Sequence, residues 1–205
     1  AGIEEIATRL GTDPGIVDEL RVRWLPWVTN AVRERSGWEF FHYGNIPGTW
    51  GMKGEQGWYT FDHRPRFTTN YVGLRNRFGI LSEAYSYASF EDRIRAHVLF
   101  VEALLDYASR NAAGLRTIVN RADERPVAGT KISLSAELQR GDTITILMGE
   151  VRETRNPYSG QRMRVREDTR IQERMPDYTT FQSTRTTTAP AAYLVPDSEG
   201  ETIER

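Results

Sequence analysis

Between residues 14 and 36 the apolar positions Ile16, Leu20, Trp24, Trp27, Val28 and Ala31 fall at helical spacing, which puts them on one face of a helix. Asp13 is a good N-cap, and Pro14 suits the first helical position, where its missing N–H costs nothing. Ser36-Gly37 ends the element, and Pro26 inside it predicts a kink. The clearest helical pattern is "SFEDRIRAHVLFVEALLDYASRN", in which Ser89 and Asp92 have capping-box spacing. Its expected buried stripe is Ile94, His97, Val98, Val101, Leu104 and Leu105. A second helical piece, "AAGLRTIVNRADE", continues to about Glu124. A shorter helix is expected in "TTNYVGLRNRFG", with Thr68 or Thr69 as cap and Gly79 as terminator.

Strand patterns are of two kinds. "WEFFHYGNI" and "GWYTF" read as aromatic strands separated by a Gly-rich loop from Gly44 to Gly57, and "HRPRF" reads as an extended connector. "ILSEAYS" has continuous rather than alternating apolarity, the mark of a central strand covered on both faces. From Lys131 onward alternation dominates, in "KISLSAELQ" and in "DTITILMGEVRET". "NPYSG" is a turn, followed by the polar strands "QRMRVRED" and "RIQERMP", a Thr-rich stretch and "AAYLVP". These elements predict an α/β fold: a partial mixed β-sheet with flanking helices over residues 1–125, then a small, mainly-β region over 126–205. The chain opens on Ala1 rather than Met, and its tail "DSEGETIER" reads as cut short, so a longer parent protein is expected.

Composition narrows the classes. The 27 Lys and Arg balance 28 Asp and Glu, so the surplus of positive charge that a nucleic-acid partner requires is missing. Five Trp and nine Tyr point to a folded chain. The absence of cysteine excludes disulfides, thiolate metal ligands and a cysteine nucleophile, while leaving the compartment open. No apolar run is long enough to cross a membrane as a helix.

The three histidines, His42, His63 and His97, lack the H-x-x-E or H-x-x-x-H spacing that sets two zinc ligands on one element. His97 on an apolar helix face and His42 in an aromatic strand read as structural, and His63 in a polar connector is the one placed to serve a site. The run "RETRNPYSGQRMRVRED" mixes acids with arginines and reads as a solvated, ion-paired β-surface. The segment from Arg64 to Tyr87 remains. There Glu83 follows the apolar Ile80 and Leu81, and its chemistry alone allows two readings. It is either a half-buried carboxylate paired with an arginine or a catalytic base.

The stretch "PRFTTNYVGLRNRFGILSEAYSYASFEDRIRAHVLFVEALLDYA" resembles the late part of the catalytic domain in bacterial members of the zinc carboxypeptidase family, the carboxypeptidase A-like peptidases. "RNPYSGQRMR" and "AAYLVP" resemble the C-terminal region of the same bacterial group. The resemblance implies that Glu83 is the general base. It also places Arg66, Asn70 and Tyr71 in the segment that shapes the substrate pocket. The family's zinc ligands, an H-x-x-E pair and a later histidine, lie upstream of this glutamate, as does its substrate-carboxylate arginine, and none of them is in this chain. The resemblance therefore implies the C-terminal half of a zinc-dependent peptidase, with zinc and a peptide substrate belonging to the intact, exported parent. This chain alone is expected to bind zinc weakly at best, to be inactive, and to self-associate or dissolve poorly. The alternative is a metal-free binding or structural module that keeps the fold without the chemistry.

Overall fold

The computed structural model describes residues 11–48 and 53–196, and the backbone of 2–4. The abrupt N-terminal start, the middle of the Gly-rich loop and the tail therefore fall largely outside the described residues.

Helix α1 (Pro14–Asp18) begins at Asp13, whose Oδ1 accepts from the Gly15 backbone N–H at 2.8 Å. The chain continues through a π-helical segment, Glu19–Trp24, into α2 (Leu25–Ser36). Just before Pro26 the helix takes this wider turn, in which the Leu25 N–H donates to the Leu20 carbonyl five residues back. A proline ring collides with the carbonyl four residues before it, and widening the turn relieves the collision without breaking the helix. Gly37, in the left-handed conformation at φ 71°, closes α2.

Helix α4 (Phe90–Glu124) runs unbroken for 35 residues from the Ser89 cap, so the two expected pieces are one element. It packs against α1 and α2. The core joins Ile16, Val17, Leu20, Trp24, Leu25, Val28 and Val32 to Phe40, Ala96, Phe100, Ala103 and Tyr107. This corrects the expected stripe: Ile94, Val98, Val101 and Leu105 face outward, and Ala96, Phe100, Ala103 and Tyr107 face the core. The helix has two apolar faces, and periodicity alone does not choose between them. The face with alanines lets α2 approach closely, and its two aromatic rings fill the remaining space.

Short strands build a mixed three-stranded sheet in the order β2 (Phe41–His42), β1 (Gly2–Glu4), β4 (Leu81–Glu83), with β1 parallel to β2 and antiparallel to β4. Strand β4 is not the covered central strand that its apolarity predicts. Among the described residues it pairs on one side only, and Leu81 is 42% exposed. Two apolar residues are too few to report neighbours on both sides: Ile80 packs against the helical core while Leu81 turns outward. Before it, α3 (Thr68–Leu74) has Phe67 rather than a threonine at its N-cap, and Asn76 at φ 54° rather than Gly79 in the left-handed turn beyond its end.

The C-terminal region is made of strands. β5 (Lys131–Gln139) pairs antiparallel with β10 (Thr180–Thr188). β6 (Thr143–Met148) pairs with β9 (Ile171–Tyr178), and β7 (Val151–Arg155) pairs with β8 (Arg162–Arg166). The alternating run "DTITILMGEVRET" is thus two strands belonging to two sheets, divided at Gly149-Glu150. β9 also pairs in parallel with β3 (Trp58–Tyr59), so a strand from the first half of the chain is built into this region. The hairpin β7–β8 turns through Asn156–Gly160, where Asn156 Oδ1 accepts from the N–H groups of Tyr158 and Ser159. Its surface carries the expected ion pairs, Arg152–Glu167 at 3.0 Å and Arg164–Glu153 at 3.4 Å, with Glu167 half-buried and the other three exposed.

Candidate functional site

Glu83 is the last residue of β4 and pairs by backbone with Gly2. Its side chain is exposed, and among the described residues it makes neither a hydrogen bond nor an ion pair. The residue before it is tied down. Ser82 Oγ lies 2.7 Å from His97 Nδ1, joining β4 to α4. His97 therefore sits half-buried at a strand–helix junction, where it holds the strand that presents Glu83.

Arg66 and Asn70 come together around Asp62. The Asp62 carboxylate accepts from Arg64 Nε at 2.6 Å and from Arg66 Nη2 at 3.5 Å, with His63 Nδ1 at 3.8 Å. The Arg64 guanidinium holds this carboxyl below its ordinary range, against the opposing effect of burial. Asn70 is 1% exposed, and its Nδ2 donates to the carbonyls of Asp62 at 2.7 Å and Arg64 at 3.0 Å. It thus fixes the connector that carries the arginines, while its Oδ1 is buried without a partner. The exposed Arg66 guanidinium lies 4.8 Å from the centre of the Phe67 ring. Tyr71, next along α3, is 55% exposed. Neither hydrogen bond nor ion pair connects this group to the Glu83 side chain among the described residues. The structure thus gathers Arg66 and Asn70 and leaves Glu83 on a separate element.

Two surface hollows, of about 430 and 280 Å³, are lined by Leu74, Arg75, Asn76, Arg77 and Asp123, and by Tyr87, Glu153, Arg162, Met163 and Arg164. Neither contains Glu83, Arg66, Asn70 or Tyr71. The three histidines occupy three different elements or connectors, and among the described residues no group of three or more His, Cys, Asp or Glu is arranged to hold a metal ion.

Two pairings were not read from the sequence. Ser82 and His97 are 15 residues apart on two elements, and no local pattern announces their contact. Glu19 and Tyr107 form the other. Glu19 is 5% exposed, inside the π-helical turn, and accepts from the Tyr107 hydroxyl at 2.7 Å and from Arg23 Nη1 at 2.9 Å. Here a signal existed: Glu19 lies three residues after Ile16 and beside Leu20, on the helix's apolar face. Burial, reinforced by the Glu19 carboxylate, pushes the Tyr107 hydroxyl up to about 12.

In comparisons with protein-family models, with curated proteins and with solved structures, nothing matches this chain.

Proposed function

We propose that this chain is the C-terminal part of a bacterial zinc-carboxypeptidase-like hydrolase, acting on peptides or related amides, with Glu83 as its general base. One observation carries this reading: Glu83 ends its strand exposed and, among the described residues, without a cation partner. In this it differs from the carboxylates Asp62 and Glu19, which each hold an arginine. Among the described residues nothing hydrogen-bonds to the Glu83 carboxylate. It is available to take a proton from water as the water oxygen adds to the peptide carbonyl, and to return that proton to the amine as the C–N bond breaks. Arg66 and Tyr71 offer exposed polar groups to a substrate, and Asn70 orders the connector behind them.

The zinc that the resemblance implies belongs to the parent, which we place outside the cell. Among the described residues no group of three or more His, Cys, Asp or Glu could hold it, and the isolated chain is proposed to be inactive. The second reading, a binding module without chemistry, draws its support from the outward apolar face of α4.

The two readings separate in the gene. If H-x-x-E and a later histidine precede Ala1, the longer protein should release C-terminal residues from peptides. Its Glu83→Gln variant should then turn over about two to four orders of magnitude more slowly at unchanged zinc content and melting temperature. Full activity in that variant would end the assignment of Glu83.

A further inference from the structure

We propose that the outer face of α4 is a self-complementary surface, through which two copies of this chain pair antiparallel about a two-fold axis. Phe90, Ile94, Val98, Val101 and Leu105 are all exposed, Phe90 at 72% and Leu105 at 64%. Their spacings of four, four, three and four keep them on one side of the helix over about 22 Å. That side lies opposite the core-facing Ala96, Phe100, Ala103 and Tyr107. Their exposed area is on the order of 500 Å² per copy, below the roughly 800 Å² per partner of a standard stable interface. It supplies the apolar centre of a weak dimer whose rim is polar.

Charge identifies the occupant as a second copy. Arg95 and Glu102 lie two helical turns apart on the same edge of the stripe. Both are exposed, and neither has an ion pair among the described residues. Arg95 instead lies over the Trp38 ring, 5.7 Å from its centre. An antiparallel two-fold sets like edge against like edge and reverses the order along it. With the axis level with the midpoint of Val98 and Leu99, Arg95 of each copy comes opposite Glu102 of the other, twice per dimer. The same placement drops Ile94 between Val101 and Leu105 of the second copy, so the apolar side chains interleave instead of abutting. Glu91 comes level with Asp106 of the second copy, and Arg35 already neutralises Asp106 at 2.6 Å.

Sedimentation equilibrium on the 205-residue chain tests this, with a dimer of micromolar Kd expected from an interface of this size. Val98→Glu should leave a monomer with an unchanged circular dichroism spectrum. Arg95→Glu or Glu102→Arg alone should each weaken dimerisation roughly tenfold, because each turns two attractive contacts into repulsive ones. The double exchange Arg95→Glu/Glu102→Arg should restore it. A chain that stays monomeric at several hundred micromolar would overturn the proposal, as would a dimer indifferent to Val98→Glu or a double exchange that fails to restore association.

Discussion

Tyr107→Phe removes one oxygen and leaves its surroundings in place. The ring stays stacked on Trp24, with centroids 5.2 Å apart and planes at 21°, and stays beside Trp27 at 5.5 Å. What disappears is the 2.7 Å hydrogen bond to a carboxylate that is 5% exposed. Glu19 then depends on Arg23 alone. Losing a bond to a buried charged group costs about 2 kcal/mol. Titration of the same hydroxyl offers a second handle on this contact. The hydroxyl is raised from 10.0 to about 12, by burial first and then by Glu19. A proton held more tightly by the folded than by the unfolded state stabilises the fold in full below the unfolded value. That contribution is lost as pH rises through the interval from about 10 to about 12. Two units correspond to a fall of about 3 kcal/mol in the native chain's stability across that interval, with burial of the phenolate as its first cause. Urea unfolding of both proteins should therefore show a gap of about 2 kcal/mol at neutral pH, shrinking toward zero near pH 12. The variant serves as its own control for every other group that titrates there. A neutral-pH gap below about 0.5 kcal/mol, or one that persists unchanged at high pH, would refute the account.

Other expectations follow from single contacts. Asn70→Ala strips the donors from the Asp62 and Arg64 carbonyls and should lower unfolding free energy by about 2 kcal/mol, read from the urea midpoint. Ser89→Ala removes the cap that accepts from the Asp92 N–H at 3.1 Å. It should cost about 1 kcal/mol, with hydrogen exchange accelerating in the first turn of α4. After dialysis the chain should carry no stoichiometric zinc by elemental analysis, because a tight site needs three or four preplaced ligands. A full equivalent held by any of His42, His63 and His97 would contradict this.

Helix identity was legible in the sequence because its signals are local. Asp13-Pro14 and Ser36-Gly37 bracket the first helical unit, Ser89 starts α4, and the alternation of residues 131–139 is β5 residue for residue. What periodicity does not encode is which of two apolar faces finds a partner. The stripe containing Ile94, Val98, Val101 and Leu105 has the spacing of a buried face, yet the shape of the space beside α2 selects the face of Ala96, Phe100 and Ala103. Long-range contacts were equally silent. Nothing near Trp58 announces a parallel partner at Asp177, and nothing near Ser82 announces His97. At the candidate site, Arg66 and Asn70 share a short connector and meet around one carboxylate, whereas Glu83 depends on a strand pairing from a distant part of the chain.

The role of Glu83 has a consequence that can be measured on this chain, without the parent. Two readings of this carboxylate were open on its chemistry. Held by an arginine in a half-buried site, it would be expensive to neutralise: Glu83→Gln would strand the cation and cost about 3 kcal/mol or more. Exposed at the end of β4 and bonded to nothing among the described residues, it contributes little to the fold, and the same substitution should move stability by no more than about 0.5 kcal/mol. Neighbouring Ser82→Ala supplies the contrast. It breaks the 2.7 Å contact with His97 that clamps β4 to α4 and should cost about 1 kcal/mol. The order of the two effects is therefore the test, since it reverses the order expected for a structural glutamate beside an incidental serine. Thermal and urea unfolding of Glu83→Gln, Ser82→Ala and the native chain under one buffer decide it. A Glu83→Gln variant destabilised by 2 kcal/mol or more would mean that the carboxylate is held, and the argument for a free base would lose its one supporting observation.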